Sequence, residues 1–114
     1  MINTIVNISD IKEIKPNLKQ ILNLYNDIKD LNIEVVANKS AVKAFLKDYG
    51  DNEIKEEIQN LVNKHVKFNV CLNTLNALNI PEEQIDFERG FGKVNSGVGE
   101  IVRRQSEGYA YLKL

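Results

Sequence analysis

The sequence predicts an α/β fold, a mainly parallel five-stranded sheet with helices on both faces. Three observations carry the prediction. Strand-like runs alternate with segments of helical apolar period along the whole chain, in the order β-α-β-α-α-β-α-β-α-β. Such alternation implies parallel strands joined by helical crossovers. One internal run, IEVVA at residues 33–37, is nearly continuous in apolar residues, as expected of a strand covered on both sides. The length, 114 residues, suits one compact domain over 1–114 with a single core.

The elements follow in order. INTIVNI is rich in β-branched residues and has no breaker, so it reads as the first strand. Pro16 suits the first turn of a helix. Beyond it Leu18, Ile21, Leu22, Tyr25, Ile28 and Leu31 recur on one helical face. After the strand IEVVA, Ser40 is placed to cap a short helix through Asp48, buried through Val42, Phe45 and Leu46 and closed by Gly50. Asp51 or Asn52 opens the next helix, with Ile54, Ile58, Leu61 and Val62 facing inward. VKFNVC is the third strand and NTLNALN a short helix, after which Pro81 starts a fresh turn. DFERGFG is the least regular stretch and KVN a very short strand. Ser96 or Asn95 opens a helix through Glu107, its inner face formed by Val98, Ile101 and Val102, with Gly108 beyond its end. YAYLKL is the last strand.

Composition narrows the function classes. Apolar residues make up 43% and charged residues 27%, and the formal net charge is −1, without the basic excess of a general nucleic-acid binder. A single cysteine makes no internal disulfide, and a structural zinc site ordinarily needs at least two. No metal and no cofactor are expected. MINTIVNISD lacks the basic start of a signal peptide, and no apolar run approaches the roughly 18 residues that would span a bilayer. The expectation is a cytoplasmic protein with neither nucleic-acid nor membrane partners.

Open parallel sheets bind ligands beyond the carboxyl ends of their strands. That edge gathers Asn7, Ser9 and Asp10 after the first strand, and Asn38, Lys39 and Ser40 after the second. Cys71, Leu72 and Asn73 follow the third, and Asn95, Ser96 and Gly97 the fourth. Cys71 thus stands at a strand-to-helix junction, where free N–H groups and the helix dipole favour a thiolate, and Lys39 on the neighbouring loop adds to this. The plain alternative is a small buried hydrophobe, a common role of free cysteine. His65 is no partner for Cys71, because six strand residues at ~3.3 Å each put roughly 20 Å between them. It reads as a residue at a helix C-terminus. The glycines of RGFGKVNSGVGE lack dinucleotide-fingerprint spacing, though Gly97 and Gly99 at a helix start are a candidate anion-binding turn. Glu53, Glu56, Glu57, Glu82, Glu83, Asp86 and Glu88 read as solvated faces, as do Arg103 and Arg104. Gln105 falls on the apolar stripe of the last helix, buried or at an interface.

Two segments carry a family resemblance. VCLNTLNALNI (70–80) shows a strand ending in cysteine followed by Asn-Thr-Leu. VNSGVGEIVRRQSEGYAYLKL (94–114) follows the pattern S-G-V-x-E-[IL]-V-R-R-Q-x-E-G-Y-A-Y-[IL]-K without gaps, and IEVVAN stands where a family strand ends. The chain resembles the short single-domain branch of the DsrE/DsrF-like family, and does so over essentially its whole length. The resemblance implies a three-layer α/β/α domain that assembles into homotrimers or hexamers. It also implies a sulfur carrier, or sulfurtransferase-like protein, that holds a persulfide on Cys71 and exchanges it with sulfur donor and acceptor proteins. Asn73 and Thr74 would then offer N–H groups and a cap to the persulfide. Asn38, Lys39, Ser96 and Gly97 complete the set of candidate binding residues. Where many relatives carry a second cysteine or Arg-Gly a few residues after the first, this chain has Leu78 and Asn79. Where they carry His-Gly or Asn-Gly after the second strand, it has Asn38 and Lys39.

Two other readings stay open. One is a noncatalytic oligomeric module that binds a small ligand beyond the strand ends, with Cys71 a bystander in its wall. The other is a subunit that only scaffolds a sulfur-relay complex. Phe87, Phe91, Tyr109 and Tyr111 would suit an interface between subunits.

Overall fold

A computed structural model describes residues 1–114. Five strands, β1 (Ile2–Ile8), β2 (Leu31–Ala37), β3 (Lys67–Cys71), β4 (Gly92–Val94) and β5 (Ala110–Lys113), form one sheet in the order β4-β3-β2-β1-β5. Every pairing is parallel. Four helices connect them: α1 (Ile14–Asp27), α2 (Asn52–Asn63), α3 (Leu72–Ala77) and α4 (Gly97–Ser106).

The strand order fixes where each helix lies. From β1 through β4 the chain steps across the sheet in one direction, so right-handed crossovers put α1, α2 and α3 on one face. The last connection runs back across the sheet to pair β5 with β1, so the same handedness puts α4 on the other face. The first face carries the main core. Val6 and Ile8, Ile33, Val35 and Ala37, and Phe68 and Val70 meet Ile14, Leu18 and Ile21 of α1 and Ile54, Ile58 and Leu61 of α2. The rings of Phe45, Phe68 and Phe91 close this core, with the Phe45 and Phe91 centroids 4.8 Å apart at 85°.

The second face is built differently. A helix is about 10 Å across, whereas five strands span roughly 19 Å. One helix cannot cover such a sheet. Ile5 and Val36 make a small buried apolar patch with Ile101 of α4, flanked by the partly buried Val94 and Tyr109. Polar residues share this face, Asn7, Glu34 and Asn69 among them.

Several expectations change at the ends and on α4. Leu31 is the first residue of β2 rather than the end of a helical face, because α1 stops at Asp27. The segment after β2 is a run of 3-10 turns over Lys39–Phe45, not an α-helix to Asp48. Ser40 does not cap it; its hydroxyl accepts from the Ile11 N–H at 3.0 Å and so ties the loop after β2 to the loop after β1. Of the predicted inner face of α4 only Ile101 is buried, while Val98 and Val102 are 66% and 67% exposed and Gln105 is exposed. The helix turns Gly97, Glu100 and Ile101 inward instead, because the surface it meets is partly polar. Asp51 and Ser96 are the N-caps of α2 and α4, accepting from Ile54 N–H and Gly99 N–H at 3.1 Å each. Phe87, Phe91 and Tyr109 are half-buried against the body of the protein, and only Tyr111 of the four aromatics is exposed.

Candidate functional site

Cys71 closes β3 and is the N-cap position of α3. The pleat turns its side chain toward the α4 face, where the side chain is held under the first turn of α4. The residue is 5% exposed. The Gly97 N–H donates to its Sγ at 3.3 Å. Burial is the largest single influence on this thiol and opposes ionisation, but the hydrogen bonds outweigh it. They come from the Thr74 hydroxyl and from the N–H groups of Thr74, Gly97 and Asn73, and they hold the thiol below its ordinary range.

Gly97 is required here by space. A Cβ at this position would stand 3.0 Å from Cγ1 of the fully buried Val36 and within 3.7 Å of Sγ. The glycine lets the helix backbone approach the sulfur closely enough to donate to it. A second backbone bond, Asn73 N–H to the Asn95 carbonyl at 3.2 Å, fastens the start of α3 to the loop that precedes α4.

The other predicted residues fall around the thiol in distinct roles. Thr74 Oγ1 accepts from the Lys39 N–H at 3.3 Å, so the hydroxyl ties the start of α3, next to the thiol, to the loop after β2. It does not cap α3, whose N-cap position is Cys71 itself. Lys39 sits at φ 49°, a left-handed conformation uncommon for a side-chain-bearing residue, which aims its N–H at Thr74. Asn38 Oδ1 accepts from Asn7 Nδ2 at 3.1 Å, and the same Nδ2 donates to the Val36 carbonyl. Ser96 is a helix cap with its hydroxyl turned to Gly99, not to the sulfur. The Asn73 side chain is exposed. His65, at φ 70° just past α2, lies at the opposite end of β3 from the thiol.

Lys113 belongs to this edge and was not among the residues the sequence singled out. Its Nζ donates to Asn7 Oδ1 at 2.9 Å and to Ser9 Oγ at 2.6 Å. Burial lowers its affinity for a proton, and the charge of Lys39 lowers it further. Neither lysine has a carboxylate within 4.0 Å. Hydrogen bonds thus run from Lys113 through Asn7 to Asn38, and from Lys39 to Thr74 in the first turn after Cys71. Two ammonium groups stand on an edge that also holds an acidified thiol. No His, Cys, Asp and Glu side chains group together here as a metal would require.

Arg104 and its two acids were also unexpected. Read as a solvated residue, Arg104 instead donates through Nε to Glu34 Oε1 at 2.8 Å and to Glu100 Oε2 at 3.2 Å. The signal available was a lone acid, Glu34, inside an apolar strand: a buried carboxyl needs a partner.

A parallel sheet wound on both faces, with a hydrogen-bonded thiol at the carboxyl end of an interior strand, defines a small α/β/α protein. The chain belongs to the DsrE/DsrF-like family, whose model matches residues 4–114. The whole chain is also similar to solved structures. One is a protein of unknown function, MTH1491, from Methanobacterium thermoautotrophicum, at 31% identity and a TM-score of 0.83, covering 99% of this chain and 97% of that one. The ychN protein of E. coli shares the fold at 17% identity and a TM-score of 0.76, with 100% and 99% covered. BT1422 of Bacteroides thetaiotaomicron shares it at 16% and 0.72, with 98% and 94% covered. No curated protein matches the chain significantly. No helix is long and apolar enough to cross a membrane.

Proposed function

We propose that this protein is a sulfur carrier, sulfurtransferase-like in its chemistry, that holds a persulfide on Cys71 in an intracellular sulfur relay of the cytoplasm. The observation that carries the reading is the Gly97 N–H donating to one buried sulfur at a strand-to-helix junction, a setting that favours a thiolate and, after loading, a persulfide anion. Membership in the DsrE/DsrF-like family, a family of the sulfur-relay type, supports it.

In the first step the Cys71 thiolate attacks the outer sulfur of a donor persulfide R–S–SH. A sulfur–sulfur bond forms to Cys71 as the donor's breaks, and the electron pair leaves on the donor sulfur as R–S⁻. In the second step an acceptor thiolate attacks the outer sulfur of Cys71–S–SH and releases the Cys71 thiolate. No external oxidant is needed. Asn73, Thr74 and Gly97 hold the sulfur through their N–H groups, Asn38 and Ser96 brace the loops, and Lys39 with Lys113 forms a cationic rim for an anionic donor. The partners are donor and acceptor proteins, with no nucleic acid, membrane, metal or cofactor in the scheme.

We further propose assembly into a homotrimer or hexamer. Val98, Val102, Tyr111 and Leu112 leave apolar surface on α4 and β5 that a second copy would cover. Light scattering on the full chain checks this, and a monomer at all concentrations would remove it.

The test of the carrier is intact mass after incubation with a persulfide donor, with and without reductant. The expected result is a reductant-sensitive gain of one sulfur atom in the wild type and none in Cys71→Ser. The double variant Lys39→Ala/Lys113→Ala should load more slowly from an anionic donor. The 5% exposure of Cys71 favours a second reading, a noncatalytic binding or scaffold module with Cys71 as a bystander. No gain of sulfur, together with slow alkylation of the folded protein, decides for that reading.

A further inference from the structure

Two buried carboxyls meet under α4, one turn along from the thiol. Glu34 of β2 is 2% exposed and Glu100 of α4 is 6% exposed. Arg104 Nε donates to both, at 2.8 and 3.2 Å. Asn69 Nδ2 donates to Glu34 Oε2 at 3.0 Å, and an Arg103 guanidinium nitrogen donates to Glu100 Oε1 at 2.8 Å. Both carboxyls accept from the one Arg104 Nε–H, so they stand side by side, and two buried acids so placed favour keeping one proton between them. Gly97, Glu100 and Arg104 recur at three- and four-residue steps, so they share one face of α4. That face touches the sulfur at its first turn and the carboxyl pair at its next two.

We propose that Glu34, Glu100 and Arg104 are positioning residues for the Cys71 site: the proton shared by the two carboxyls seats α4 on the sheet and thereby keeps the Gly97 N–H against the sulfur. The functional meaning rests on the carrier reading, but the coupling between the two ends of α4 does not. The helix is about 15 Å long, so a shift of its seat at Glu100 and Arg104 is felt at Gly97. Burial pushes Glu34 up to about 7, and the adjoining Glu100 reinforces this against Arg104. Glu34 beside it, with Arg103 and Arg104, keeps Glu100 below its ordinary range. Other charged and titratable groups face the pair. Arg103 and Glu107 lie on α4, Lys67 is the register partner of Glu34 on β3, and the Tyr109 ring lies 5.1 Å from the Arg104 guanidinium. None supplies a second cation to Glu34 within 4.0 Å. When the shared proton leaves, two carboxylates repel across one Nε–H, α4 loosens, and Cys71 opens to reagents.

The test is the pH dependence of amide hydrogen exchange at Gly97 in the full chain, wild type against Glu34→Gln, whose amide is a permanent donor to Glu100. In the wild type, protection at Gly97, corrected for intrinsic exchange, should fall by roughly threefold or more between about pH 6 and pH 8. The alkylation rate of Cys71 per thiolate should rise in parallel. In Glu34→Gln both should be flat. Thiol ionisation cannot mimic the effect, because a thiolate is the stronger acceptor and would increase protection. Constant protection in the wild type, or the same fall in Glu34→Gln, overturns the proposal. Should Glu34→Gln fail to fold, the wild-type profile decides alone. A protein that never accepts sulfur but shows this profile would lose the carrier reading and keep the positioning one.

Discussion

Arg104→Met should cost about 2–3 kcal/mol of folding stability at pH 8 and clearly less at pH 5, read as urea midpoints at unchanged slope. Methionine keeps the aliphatic stem that packs on the sheet but leaves Glu34 and Glu100 without their common cation. Removing one partner of a buried ionic cluster ordinarily costs about 3–5 kcal/mol. The lower figure reflects the 31% exposure of the Arg104 side chain, which lets water screen part of the loss. The sign with pH follows from Glu34. Its native carboxyl is raised from 4.5 to about 7, so the stability it contributes is fully present below its unfolded value and is lost as pH climbs through 7. Without the guanidinium it rises further, so the penalty is greatest where both acids must ionise. Equal costs at the two pH values would mean that Arg104 acts through packing alone.

Gly97→Val should strike both the fold and the thiol. Even a Cβ meets Val36 Cγ1 at 3.0 Å, and the branched side chain adds two methyl groups in the same gap. Overpacking of this kind costs about 1–3 kcal/mol. The strain is relieved by lifting the first turn of α4, which withdraws the Gly97 N–H from Sγ. One of the interactions that outweigh burial is then gone, so the midpoint of thiolate absorbance should move up and sulfur loading near neutral pH should slow. An unmoved thiol titration in a folded variant would show that the Gly97 donor contributes nothing.

These effects concentrate on the α4 face, which is also where sequence reading and structure part. The main core was legible because α1 and α2 repeat apolar residues at helical period and β1 to β3 are rich in branched ones. The carboxyl-edge rule brings Cys71, Lys39, Asn38 and Gly97 to one place, and the family resemblance adds Thr74. On α4 the same logic chose the wrong side. Apolar period selects a helix's inner face only when its seat is apolar, and this seat contains Glu34 and Asn69. Lys113 was missed for another reason. Alternation of strands and helices gives parallel pairing but not strand order, and only the β5–β1 pairing carries Lys113 to Asn7 and Ser9. Ser40 was assigned to a cap because the residue type suits one, whereas tertiary contact with Ile11 commits its hydroxyl elsewhere.

The return of the chain from β4 to β5 has a consequence for how the thiol comes into being. β5 joins β1 across a separation of 106 residues, from Thr4 to Ala110, a contact among the slowest to close in a folding chain. The stretch that makes this closure, residues 97–113, also brings the roof over Cys71 and the ammonium of Lys113. On a growing polypeptide β1, β2, β3 and the cysteine precede that stretch, so the sulfur waits uncovered at the edge of an unfinished sheet. Completing the tertiary structure and maturing the cysteine are one event.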